Sequence, residues 1–182
     1  MVGVKYGMLT ALLLGLWVEY SFASPAHLPI PTSDATIPKA YYDIEKDPIE
    51  GAVLDIPLTL PNLERAVYVW NQSVHQRPVP WGLNDPMPQP LLKNRLTKTL
   101  IQLEGNRARG MPHILPELDL VVASRSLIRQ GYRYIVVHKH FYPQYKAEQV
   151  EQLLTALYGT PKIYKQDNML VFSLSLETAT DE

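Results

Sequence analysis

Apolar and polar positions alternate in blocks of recognisable period along most of this chain. Residues 38–44 put Pro38 near a first turn, and the segment closes before Asp47-Pro48, which predicts a short helix. Residues 52–58 form an apolar run broken only by Asp55 and bounded by Gly51 and Pro57, the pattern of a buried strand. Leu63, Val67, Trp70 and Val74 then recur at helical spacing, followed by a second stripe of Leu92, Leu96, Leu100 and Leu103. A third stripe, Leu118, Val121, Val122, Arg125 and Ile128, stops before Gly131. The β-branched and aromatic run 132–138 is the strongest strand signal in the chain. Val150, Leu153, Leu154 and Leu157 predict a further helix closed by Gly159, and residues 162–165 and 169–176 pair as a hairpin across Gln166-Asp167-Asn168. Strands separated by helices imply an α/β layer structure, partly parallel, with an antiparallel hairpin at its C-terminal edge.

The N-terminus has a different pattern. An apolar run over residues 6–18 follows Lys5 and ends at Glu19 and Tyr20, and no Lys or Arg recurs before Lys39. Charge on the N-terminal side alone places the rest of the chain outside the cytoplasm. Two readings of the run stay open. A cleaved signal needs a basic start, roughly 7 to 15 apolar residues and a small-residue cleavage site, which Ser21-Phe22-Ala23 supplies. A spanning helix needs about 20 residues, which residues 1–23 can just provide, with Trp17 and Tyr20 as interfacial aromatics. The segmentation that follows is a membrane helix or signal-like segment (1–24), a proline-rich linker (25–37), an extracytoplasmic α/β domain (38–176) and a polar tail (177–182).

Composition narrows the function classes. A formal charge of −1 over 182 residues, with signs mixed along the chain, offers no basic stripe for nucleic acid. The absence of cysteine excludes disulfides and thiolate chemistry. Among the 16 prolines, Pro78, Pro80, Pro86, Pro88 and Pro90 surround Trp81-Gly82-Leu83-Asn84 and predict an ordered loop that is neither helix nor central strand.

The densest polar group leads into that loop. If Val67, Trp70 and Val74 face the core, Asn71 and His75 share the next face one turn apart and direct an amide and an imidazole into one cleft. Gln72, Arg77, Trp81, Asn84 and Asp85 then complete a candidate set of ligand or partner contacts. The alternative is that Gln72 and His75 cap the helix end and bond loop backbone, since prolines donate nothing. His138 is a further candidate, because open α/β sheets bind ligands at strand C-terminal ends. His138-Lys139-His140 ends the strand with both imidazoles on one face, because strand side chains alternate, but a metal site would need a third ligand that the sequence does not advertise. Asp55 is a candidate buried carboxylate, whose alternative is a solvent face or a bond to a helix N-terminus. The basic loop around Arg107 and Arg109 lacks phosphate-loop spacing. With no nucleophile elbow and no paired carboxylates, no catalytic residue, cofactor or metal is assigned.

Taken in order, these elements resemble a known family. Glu19-Tyr20, Ile37-Pro38-Lys39-Ala40-Tyr41-Tyr42, Asp47-Pro48, the run from Gly51 through Leu58, then Tyr68, Gln72, His75, Pro78 and Gly82 are similar to the C-terminal region of bacterial polytopic GT-C-like membrane glycosyltransferases. The likeness continues through Gly131-Tyr132-Arg133-Tyr134 to His138, Tyr158-Gly159-Thr160-Pro161 and Val171-Phe172-Ser173-Leu174. The resemblance implies a last membrane helix carrying an extracytoplasmic domain at the bacterial inner membrane, with catalytic acids elsewhere in the protein. Its expected partners are the membrane, a polytopic membrane subunit, and a glycan or polyprenyl-phosphate sugar. Two further readings stand beside it: a secreted or periplasmic binding protein with a cleaved signal, and a small exported hydrolase using His75 or His138 with Asp55.

Overall fold

The computed structural model describes residues 2–19, 35–80, 82, 84–105 and 118–175. The chain divides into two compact units, residues 1–36 and 37–182. The first contains α1, Val2–Val18, a helix of 17 residues. At 1.5 Å per residue its length is about 25 Å, below the roughly 30 Å of a hydrocarbon core. Among the described residues no helix is long and apolar enough to cross a membrane, so the expected spanning helix is not found. Most of the expected linker and all of the polar tail lie outside the described residues.

The second unit is built on a four-stranded mixed sheet in the order β1-β2-β4-β3. β1 (Ala52–Ile56) and β2 (Tyr132–His138) are parallel, with Asp55 opposite Val136 and Ile56 opposite Val137. β4 (Met169–Ser173) runs antiparallel to β2, and β3 (Lys162–Tyr164) antiparallel to β4, so the C-terminal hairpin lies where the alternating pattern placed it. Gly51, immediately before β1, has φ 155°, and a Cβ there would meet Arg133 Cγ at 2.2 Å and Gly131 O at 2.8 Å. Only glycine tolerates that close crossing of the two parallel strands.

Helices cover both faces. Leu54, Ile56, Ile135, Val137, Leu170 and Phe172 point to the larger core, filled from α4 (Gln89–Lys93), α5 (Arg95–Gly105), α6 (Leu118–Arg129) and α7 (Gln144–Tyr158). The alternate residues Val53, Tyr134, Val136, Met169 and Val171 meet α2 (Lys39–Lys46) through Ala40, Tyr41 and Ile44, with Val74 of α3 (Asn62–His75) packed alongside. Period-two alternation thus divides the strands between two cores.

Three expectations are corrected. The stripe from Leu92 to Leu103 is two helices, broken at Asn94, whose Oδ1 accepts the N–H groups of Leu96 and Thr97 while Nδ2 donates to Ala123 O. Leu91 takes the buried position in place of Leu92, and α4 starts inside the proline-rich stretch because Pro90 is tolerated in a first turn. Among the described side chains of α6 the buried ones are Leu120, Ala123, Ser124, Leu127 and Ile128, while Val122 is exposed and Leu118 lies outside them. The third correction concerns α3. Its buried stripe is Arg65, Tyr68, Asn71 and His75, and Trp70 is 54 % exposed. The helix turns polar side chains inward because the sheet face beneath it carries a carboxylate and an imidazole that need polar company.

Candidate functional site

That polar company converges on Tyr41. Asp55 and His138 are on the α2/α3 face of the sheet, Asp55 one residue before the end of β1 and His138 the last residue of β2. The Tyr41 hydroxyl donates to Asp55 Oδ1 and lies 2.9 Å from His138 Nε2. His138 Nε2 in turn is 3.0 Å from the same carboxylate oxygen. The Tyr68 ring packs on His138 with centroids 4.8 Å apart, and its hydroxyl donates to Pro57 O. The His75 ring stacks on Tyr41 at 5.3 Å.

All of these groups are sealed. Asp55 and His75 are 2 % exposed, His138 and Asn71 1 %, and Tyr41 is fully buried. Burial first, then the nearby Asp55 carboxylate, pushes the Tyr41 hydroxyl well above its ordinary range. Asn71 opposes that rise from close by, although its amide makes no hydrogen bond of normal geometry. Tyr41 therefore stays protonated and acts as a donor. Burial also lowers the His75 pKa; Asp55 raises it in part, and Arg77 lowers it further.

The candidate residues of the sequence that are described separate into three groups. Asn71, His75 and His138 belong to the sealed cluster, which also takes in Asp55 and Tyr41. Gln72 and Arg77 do not reach it. Gln72 Nε2 donates to Arg77 O, the Arg77 N–H donates to His75 Nδ1, and the Arg77 guanidinium donates to Ile44 O and Asp47 O. These bonds close α3 at Gln76, which adopts a left-handed conformation with φ 53°. Gln72 and His75 thus bond the backbone at the helix end, and His75 takes part in both cap and cluster. Asn84 and Asp85 are exposed, and Asp85 Oδ2 accepts the Gly82 N–H. Trp81 and the loop around Arg107 and Arg109 lie outside the described residues.

The expectation that His138 and His140 share a strand face is also corrected. β2 ends at His138, and Lys139–Phe141 turns into a 3-10 segment. His140 is exposed and meets His138 edge-on at 5.5 Å between centroids. It lines a depression of about 500 Å³ together with Lys139, Tyr142, Gln144, Glu148 and Asn168. Among the described residues no group of three His, Cys, Asp or Glu is placed to hold a metal.

A second polar centre, unread in the sequence, holds the opposite face. Glu104 accepts the N–H groups of Leu58 and Thr59 and the Tyr142 hydroxyl, and Lys146 donates to its backbone oxygen. It fastens the turn after β1 to α5 and α7. Tyr41 was equally missed as a site residue. The signal was present, since helical spacing with Ala40 and Ile44 turns it toward the sheet and a lone Asp55 in an apolar strand calls for a buried donor. Comparison with known proteins finds no matching family model, no matching curated protein and no matching solved structure.

Proposed function

We propose that this chain is an exported, non-catalytic α/β domain, the extracytoplasmic C-terminal region of a glycosyltransferase-like membrane protein. It acts by docking on a polytopic membrane subunit at the bacterial inner membrane or by holding a glycan or polyprenyl-phosphate sugar. The observation that carries this reading is the sealing of the acid–base groups: Tyr41, Asp55, His75 and His138 are all shut away from solvent. A catalytic acid or base must come within hydrogen-bond reach of a reacting group. The exposed Trp70 of α3 and the exposed Tyr42 of α2, which packs beside α3, supply surface for docking. Export is supported by Lys5 standing before the apolar run with no further Lys or Arg until Lys39.

The absence of native cysteine makes the test direct. With Glu45→Cys at an exposed site of α2, a membrane-impermeant thiol reagent should label intact spheroplasts. Labelling only after lysis would place the domain inside the cytoplasm and end this reading.

The length of α1 favours a second reading, a secreted or periplasmic binding domain whose first residues are removed, because 17 residues suit a signal better than a span. N-terminal sequencing of the mature chain separates the two. Retained Met1 supports the anchor, and a chain starting at Ser24 supports cleavage.

A further inference from the structure

The sealed cluster contains more polar atoms than it satisfies. Asp55 Oδ2, both polar atoms of the Asn71 amide and His75 Nε2 are buried without a hydrogen-bond partner among the described residues. Buried polar groups are bonded in the large majority of cases, so four such atoms around one tyrosine point to a ligand. They are neighbours in the fold. His75 stacks on Tyr41, Tyr41 donates to Asp55, and Asn71 and His75 are one turn apart on the buried stripe of α3.

The chemistry of the unsatisfied atoms can be assigned. His75 Nδ1 accepts the Arg77 N–H at 3.1 Å, so that nitrogen is unprotonated. The proton of the neutral ring therefore sits on Nε2, which is a donor. Burial favours that neutral form. Asp55 Oδ1 is occupied by Tyr41 and His138, which leaves Oδ2 as an acceptor. The Asn71 amide offers both functions. An anion would face the Asp55 carboxylate, and an apolar group would satisfy none of these atoms. A metal ion finds no set of three His, Cys, Asp or Glu ligands among the described residues.

We propose that the polar interior between Asp55, Asn71 and His75 is a binding site for a hydroxyl group, which donates to Asp55 Oδ2 and accepts from His75 Nε2–H or the Asn71 amide. Water and a small polyol share this chemistry. Water needs two to four polar partners to reside in a protein interior, and these three side chains supply them. A polyol would need the surrounding structure to open, because every member of the site is closed to solvent. The site stands independently of the docking role, which concerns the outer surface of α2 and α3.

The test uses the full chain in detergent micelles with nitrogen-15 in its histidines. Long-range proton–nitrogen correlation should show His75 as the Nε2–H tautomer, with a cross-relaxation peak from that proton to the water resonance. Glycerol then serves as the polyol probe. A water peak that persists identifies water as the bound hydroxyl, and a peak that is lost while Nε2 shifts identifies the polyol; either supports the site. Asn71→Leu should abolish the peak, whereas Ser73→Ala on the exposed side of α3 should keep it. Asn71→Ser, which retains a hydroxyl, guards against a variant that fails to fold and should retain the peak. An Nδ1–H tautomer, or no peak to water and no shift with glycerol in the unmodified chain, overturns the proposal.

Discussion

Asp55 and His138, 83 residues apart in the chain, meet at 3.0 Å on one face of two parallel strands while both are closed to solvent. Strand register creates the pair. Asp55 opposes Val136, and His138 is two residues further along the same face. Replacing Asp55 by Leu or His138 by Phe strands the other partner, and each should cost about 3 kcal/mol or more. The double variant should cost less than the sum, by about 1 to 3 kcal/mol. Urea denaturation of the four proteins measures the coupling, and additive losses would mean that the contact carries no shared energy.

Tyr41 is the donor that joins this pair. Tyr41→Phe keeps the ring that stacks on His75 and deletes the hydroxyl, leaving Asp55 one bond poorer. A loss of about 1 to 3 kcal/mol is expected in the same denaturation assay. A neutral result would show that His138 alone suffices for the carboxylate.

The rotation of α3 makes opposite forecasts for two neighbouring aromatics. Tyr68→Ala should destabilise by about 3 to 5 kcal/mol, since the ring is buried against His138. Trp70→Ala should cost about 1 kcal/mol or less, although tryptophan is the larger residue, because most of its surface is already in water. The reverse order of losses would restore the apolar stripe to the core.

Glu104 has its pKa raised by burial, which its bonds from Leu58, Thr59 and Tyr142 only partly offset. The folded state therefore holds the proton to higher pH than the unfolded chain does. Its contribution is fully present below the unfolded value near 4.5 and is lost as pH rises through the folded value. Measured against Glu104→Gln, the unmodified protein should lose relative stability over that rise. A difference that is flat with pH would mean that the bonds cancel the burial.

His75 has the opposite linkage. Burial lowers its pKa below 6.5, so the folded state binds fewer protons and stability is lost as pH falls below 6.5 and through the folded value. Protonation at Nδ1 also sets a donor against the Arg77 N–H and breaks the cap of α3. The histidine titration followed by NMR should have its midpoint below 6.5, with the Arg77 amide shifting in step. A midpoint above 6.5 would show that Asp55 outweighs burial.

Element type was legible from the sequence where period and boundary agreed. β2, α7 and the C-terminal hairpin have both a clean period and a glycine or polar turn at their limits. Orientation was less legible. On α3 the apolar stripe of Val67, Trp70 and Val74 gave the conventional inward face, but burial is settled by the opposing surface, and Asp55 and His138 belong to strands distant in sequence. The break at Asn94 was missed because two helices happened to continue one leucine spacing. For the candidate site, Asn71, His75 and His138 were legible as polar residues near element ends. Their union required two long-range events, the strand register that sets Asp55 beside His138 and the packing of α2 that lays Tyr41 on that sheet face.

The outer edge of β1 has a consequence for how copies of this chain behave at high concentration. Val53 N–H is taken by Pro78 O, and the flank continues through Val79 to Pro80. Proline supplies no N–H to an incoming strand, so this flank is a poor template for further pairing. At the opposite edge β3 spans three residues and exposes Lys162. Both margins of the sheet therefore discourage the strand-to-strand growth that turns folded α/β domains into fibrils, and concentration should drive this protein toward face contacts before edge contacts.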